Sequence, residues 1–185
     1  RNRTAAEVRS TFAKLGGRAS NASSTNATNA TNNSSGGASG SGALGVAQRY
    51  LGRRANELKL ANNDPVGKAM QDWVPGNVNC ANFISGVLVA AKQISFDQRN
   101  ASVYNLIGTL RRDPQWKQVP LSQARPGDVI AFKTSGGQHV EMVAGRDGNG
   151  LKMIGSNNIL ADGTQQVSYN YYKGNAIIAV MRYVG

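Results

Sequence analysis

"RPGDVIAFKTSGGQHVEMVAG", Arg125 to Gly145, is the stretch on which the fold turns. Before it the chain reads as helices, and from Asp128 onward it reads as strands. "DVIAFK" and "HVEMVAG" are short apolar runs separated by the turn signal "TSGGQ". The same text continues as "LKMIG", "QVSYNYY" and "AIIAVMRYV", broken by "RDGNG", "LADGT" and "KGN". Upstream, Leu44, Ala47 and Leu51 mark one helix, residues 66–73 a short second, 81–92 a third and 102–112 a fourth. In the fourth, Val103, Leu106, Ile107 and Leu110 form a stripe that Asp113–Pro114 ends. Helices first and a meander of roughly five strands afterwards predict an α+β domain, its N-terminal helices packed on an antiparallel sheet.

That domain is expected over 43–185. From Ala19 to Gly42 every residue is Ala, Ser, Asn, Thr or Gly, which offers no apolar surface against chain entropy; residues 18–42 are read as a flexible linker. N-x-[ST] triplets such as those at Asn26 and Asn29 arise by chance in such a tract and carry little weight. Residues 1–17 hold a short helix, with Thr4 and Glu7 at capping-box spacing, Val8, Phe12 and Leu15 on one face, and Gly16–Gly17 to stop it. At about 12 residues such a helix is marginal alone and needs something to dock on. The chain opens on Arg1 rather than methionine and has no signal-peptide pattern, so a processed product or the C-terminal part of a longer protein is expected. No apolar stretch approaches the ~20 residues needed to cross a bilayer, so no membrane insertion is expected.

The net charge of +11 and pI near 10.2 favour an anionic partner: nucleic acid, anionic lipid or the acidic polymers of a bacterial wall. The basic residues are scattered, with pairs only at Arg53–Arg54 and Arg111–Arg112. The absence of a Lys/Arg-rich run argues against nucleic acid. One cysteine leaves no disulfide framework. No metal-ligand spacing is present either, and no cofactor is expected. Asp64, Asp147 and Asp162 are read as turn residues.

The lone cysteine, Cys80, stands in "NVNCANFISG". Counted from it, Phe83, Ile84, Val87, Leu88 and Ala91 fall on one helical face, which puts Cys80 at the N-terminal end of a buried stripe with Asn79 as its N-cap. A helix N-terminus favours a thiolate, and its free N–H groups suit an oxyanion. A lone cysteine on an apolar face is more often simply packed. The lone histidine, His139, opens the strand "HVEMVAG", and a thiol nucleophile needs such a base to take and return its proton. A base also needs an orienting partner; Asn157 and Asn158 in "IGSNN" lie beside the histidine strand in a meander, although loop asparagines are usually turn formers.

Taken together, "NCANFISGVLVAA", "QARPGDVIAF", "HVEMVAGRDGNGLKMIGSNN" and "QVSYNYY" resemble CHAP-type peptidoglycan hydrolases of the papain-like NlpC/P60 superfamily, nearest to small phage-associated members. The likeness covers most of 43–185 and keeps the order of cysteine helix, "PGD" strand, histidine strand and asparagine. It implies Cys80 as nucleophile, His139 as base and then acid, and Asn157 as the polar third residue. It also implies amide cleavage in peptidoglycan by a wall endopeptidase or N-acetylmuramoyl-L-alanine amidase, virion-associated or delivered to the periplasm or wall. Residues 1–17 would then join a larger phage or secreted assembly. Two departures stand out. Glu141 replaces the small residue usual two positions after the histidine, on the same strand face as His139, where it could tune the imidazole, contact substrate or reach solvent. The upstream aromatic-glycine motif is replaced by "ANNDPVGKAMQDWVPGNV". Trp73 is read as core in preference to cleft, and Gln138 as a solvated loop residue in preference to a neighbour of the histidine; with Glu141 they are the candidate substrate contacts. The other readings are a non-catalytic wall-binding or virion module, and a thiol amidase toxin acting on another substrate.

Overall fold

Five helices precede the sheet in the computed structural model, which describes residues 42–185 with the side chain of Asn158 excepted. The expected helix at 4–15 and the linker up to residue 41 lie outside the described residues. The helices are α1 (Ala43–Gln48), α2 (Ala55–Leu58), α3 (Pro65–Ala69), α4 (Cys80–Ala90) and α5 (Val103–Arg112). Asp64 starts α3: its carboxylate accepts from the N–H groups of Val66 and Gly67, each at 2.9 Å, and Pro65 occupies the first turn. Ser102 caps α5 through Asn105 N–H at 3.3 Å, and the buried face of α5 is Val103, Leu106, Ile107 and Leu110, the expected stripe. The helix at 55–58 has no signature in the sequence, because four residues carry too little periodicity.

The α4 helix is the centre of the domain. Its sequence shows one continuous apolar face, yet Cys80 to Leu88 are all buried, polar Asn82 and Ser85 included. A helix buried on every side must admit neighbours closely. Gly86 does this for α3: a Cβ there would lie 2.9 Å from the Val66 carbonyl oxygen.

The sheet has six antiparallel strands rather than the expected five or so: β1 (Trp116–Gln118), β2 (Val129–Thr134), β3 (Gly137–Asp147), β4 (Gly150–Ile159), β5 (Gln165–Tyr171) and β6 (Ile177–Tyr183), in the order β1-β6-β2-β3-β4-β5. The extra strand, β1, is three residues long and is defined only by its pairing with β6. The meander also stops at β5. The last strand crosses back to lie between β1 and β2, because the outer edge of β5 is occupied by residues 52–54, which bond to Val167 and bridge to Gln166. The "SNN" of β4 is strand, not turn, with a register irregularity between Ser156 and Asn158.

Both faces of the sheet are covered, which explains the continuous apolar runs in its central strands. Val129, Ala131, Val140, Met142, Ile154 and Val167 pack in one cluster with the helices. Ile130, Phe132, Val143, Leu151, Met153 and Val180 pack in a second with Val119, Leu121 and Ala124. The "PGD" turn is fixed by Asp128, whose carboxylate accepts from Arg182 Nε at 2.9 Å and Nη2 at 2.7 Å and from Arg125 N–H at 2.9 Å. Among the described residues no helix is long and apolar enough to cross a membrane.

Candidate active site

Strand alternation gives β3 two faces. Val140 and Met142 join the helix-side cluster, while His139 and Glu141 alternate with them. The β2 register sets Phe132 opposite His139, and the two rings meet edge to face with centroids 5.5 Å apart. The Nε2 of His139 lies 3.0 Å from Oε1 of Glu141, whose side chain is fully buried. With Nε2 so engaged, Nδ1 is the nitrogen left toward Cys80, which stands near enough to the ring to raise its pKa. The two lone residues of the sequence, its one cysteine and its one histidine, therefore meet.

Burial works against a charged imidazole at this position. Hydrogen bonding and electrostatic attraction involving Cys80 and Glu141 outweigh it and raise His139 from 6.5 to about 9. Glu141 Oε1 lies 3.4 Å from Asn170 Nδ2, whereas Oε2 is buried without a hydrogen-bond partner among the described residues. Room for this carboxylate comes from Gly155 on β4, where a Cβ would approach Glu141 Cγ to 2.9 Å and Cβ to 3.3 Å.

The third residue differs from the expectation. Asn157 is on β4, but its amide is spent on Ser168: Oδ1 accepts from the Ser168 hydroxyl and Nδ2 donates to the Ser168 carbonyl at 3.3 Å. Glu141 makes the bond to the imidazole instead. The physical reason is reach: residues two apart on one strand stand side by side, while Asn157 sits in an irregular register and is held by the next strand.

The helix entrance also differs. Asn79 precedes α4, yet its side chain makes no cap; Nδ2 donates to Pro75 O at 2.8 Å and Oδ1 accepts from Asn82 Nδ2 at 2.9 Å. The ladder of α4 opens with Phe83 N–H on Asn79 O at 2.9 Å, so the N–H groups of Cys80 and Ala81 stand before it. Asn79 N–H donates to Gln165 Oε1 at 2.7 Å, a junction between the helix and β5 that no local sequence pattern marks. The preceding loop, 71–79, is tied down by Asn82, which bonds to both Gln71 N–H (2.7 Å) and Gln71 O (2.9 Å), and by Lys59 Nζ, which donates to Val74 O. Burial lowers the pKa of Lys59. On this loop Trp73 is 72% exposed, which corrects the core reading. Gln138 is exposed as expected, but in β3 opposite Lys133 rather than in a loop. Among the described residues no three His, Cys, Asp or Glu side chains gather as a metal ion would require.

The molecule is thus an α+β domain with a thiol, an imidazole and a buried carboxylate in series. No family model matches the chain, and no curated protein matches it. Among solved structures, the wild-type endolysin LysIME-EF1 is similar at 12% identity and a TM-score of 0.44, over 69% of this chain and 63% of that one. The match thus takes in less than two thirds of the endolysin's length. A likeness of that extent carries no function to this chain.

Proposed function

We propose that the domain is a papain-like cysteine hydrolase that cleaves an amide bond of bacterial peptidoglycan. One observation carries the reading: His139 is bonded to Glu141 and lies within the electrostatic reach of Cys80, so nucleophile, base and orienting group can act in one series. The assignment of peptidoglycan rests on the likeness of the cysteine, "PGD" and histidine segments to wall hydrolases, and the net charge of +11 suits an anionic wall.

In this mechanism Cys80 Sγ attacks the scissile carbonyl carbon while the thiol proton resides on His139 Nδ1. The C–N bond then breaks, and His139 passes that proton to the departing amine, leaving a thioester on Cys80. Water attacks the thioester as His139 takes its proton. The C–S bond breaks, the carboxylate product leaves and the proton returns to sulfur. Glu141 holds the ring through Nε2 and balances the imidazolium charge. Residues 43–185 would form the hydrolase, with 18–42 tethering it through 1–17 to a virion or secreted assembly at the wall.

Cys80→Ala and His139→Ala are each expected to abolish release of soluble muropeptides from purified sacculi, with circular dichroism unchanged. Mass spectrometry of the fragments then identifies the bond as endopeptidase or amidase cleavage. Full release by either variant would overturn the mechanism. Cys80-dependent cleavage of another amide, with sacculi untouched, would favour the toxin reading.

A further inference from the structure

Glu141 orients the imidazole, yet its own carboxylate has few supports. The side chain is fully buried, and among the described residues two groups donate to it, both at Oε1. One is His139 Nε2 at 3.0 Å and the other is Asn170 Nδ2 at 3.4 Å. Oε2 is buried without a hydrogen-bond partner. A buried carboxylate is costly unless donors meet it, so each of the two matters.

Asn170 reaches Glu141 from two strands away. It lies on β5, with its Cα opposite Met153 of β4. The pairing of β3 with β4 ends at Met142 and Ile154, one residue short of Glu141 and Gly155. Beyond that point side chains make the connection: Glu141 lies across Gly155, where a Cβ would sit 2.9 Å from its Cγ, and meets Asn170 on the strand beyond. The amide of Asn170 has one orientation. Its Oδ1 accepts from Tyr171 N–H at 2.9 Å, and a backbone N–H can only donate, so Nδ2 is the end turned to the carboxylate.

We propose that Asn170 is a positioning residue of the active site, holding the Glu141 carboxylate against His139 through the whole reaction. This rests on the cysteine-hydrolase reading and adds a fourth group to the series, one that acts only through Glu141. While His139 carries its extra proton, charge attraction helps to keep carboxylate and ring together. Once that proton passes to the departing amine, the imidazole is neutral and the attraction is lost. The Asn170 amide does not change its charge, so its grip on Oε1 persists. The ring is then still aimed when it must take a proton from water. Asn170 itself moves no proton and forms no covalent bond.

A double-mutant cycle tests this, because a residue that acts through Glu141 loses its effect when Glu141 is gone. Asn170→Leu removes the donor at similar volume, Glu141→Leu removes the carboxylate, and a third protein carries both. Asn170→Ser and Glu141→Ala repeat the cycle should a leucine variant not fold. With sacculi as substrate, Asn170→Leu is expected to lower kcat by roughly 10-fold while KM stays within about twofold. Added to Glu141→Leu, the same change should cost less than about twofold more. The second readout needs no substrate: the NMR midpoint of the single histidine should move on Asn170→Leu, and should not move when that change is added to Glu141→Leu. An unchanged kcat in Asn170→Leu overturns the proposal. So do losses that multiply in the double variant, or a midpoint shift that is equal in both backgrounds, since either would give Asn170 a role in the fold alone. If the unsubstituted protein releases nothing from sacculi, the peptidoglycan reading fails, and the midpoint cycle still decides whether Asn170 reaches His139 through Glu141.

Discussion

The ring of His139 lies between two effects of opposite sign, and the larger set wins through its neighbours. Burial alone would strip its proton, yet Cys80 and Glu141 hold it to about pH 9. Because the folded value lies above the ordinary 6.5, the linked stability is fully present below about pH 6.5 and is lost as pH rises through about 9, at most roughly 3 kcal/mol. The same proton is the one the departing amine needs, so hydrolysis should fail on the alkaline side near pH 9. With a single histidine in the chain, its imidazole signal can be followed by proton NMR without assignment. Cys80→Ala and Glu141→Gln should each move its midpoint to lower pH, and Glu141→Gln should move the alkaline limb of activity with it. A midpoint unmoved by both changes would show that neither group touches the ring. In the sequence, Cys80 and His139 could be paired by type alone, since each occurs once. Glu141 could be placed on the histidine's face by alternation, but its partner could not be read, because strand pairing decides what lies across from it.

At the scale of elements, the exchange between β3 and β4 is specific. Glu141 projects over Gly155, and the missing side chain of one is the space of the other. Gly155→Ala would set a Cβ 2.9 Å from Glu141 Cγ, near the root of a buried side chain that cannot swing aside. The expected cost is about 1–3 kcal/mol in stability. A sideways shift of the carboxylate should lower kcat by roughly 10-fold or more while KM changes little. Unchanged kinetics would show that Glu141 does not set the ring's position. The long elements, α4, α5 and β2 to β6, were legible because each carries a period or an apolar run bounded by turn residues. The short ones, α2 and β1, were not, because tertiary contacts define them and their own few residues do not.

For the whole molecule, closure depends on β6 entering the sheet between β1 and β2, and Arg182 on β6 meets Asp128 at the start of β2. Both are largely buried, so removing one partner strands a charge. Asp128→Ala should lower unfolding free energy in urea by about 3–5 kcal/mol, and replacing both residues by leucine should cost markedly less. Equal losses in the two variants would mean that packing, not charge, holds the junction. The amino-acid sequence by itself determined the class of fold, the helix that begins at the cysteine and the strand that carries the histidine, because periodicity and turn chemistry are local. It could also nominate "PGD" as a landmark, but not the arginine, 54 positions away, that fixes its aspartate. Only the tertiary structure decided that Glu141 rather than Asn157 bonds to the histidine, that Trp73 faces solvent, and that Gln165 meets the helix end. Gln165 meets Asn79 from 86 positions away and Asn157 is held by Ser168 on the next strand, which leaves the neighbouring Glu141 to the histidine; no local pattern encodes those meetings.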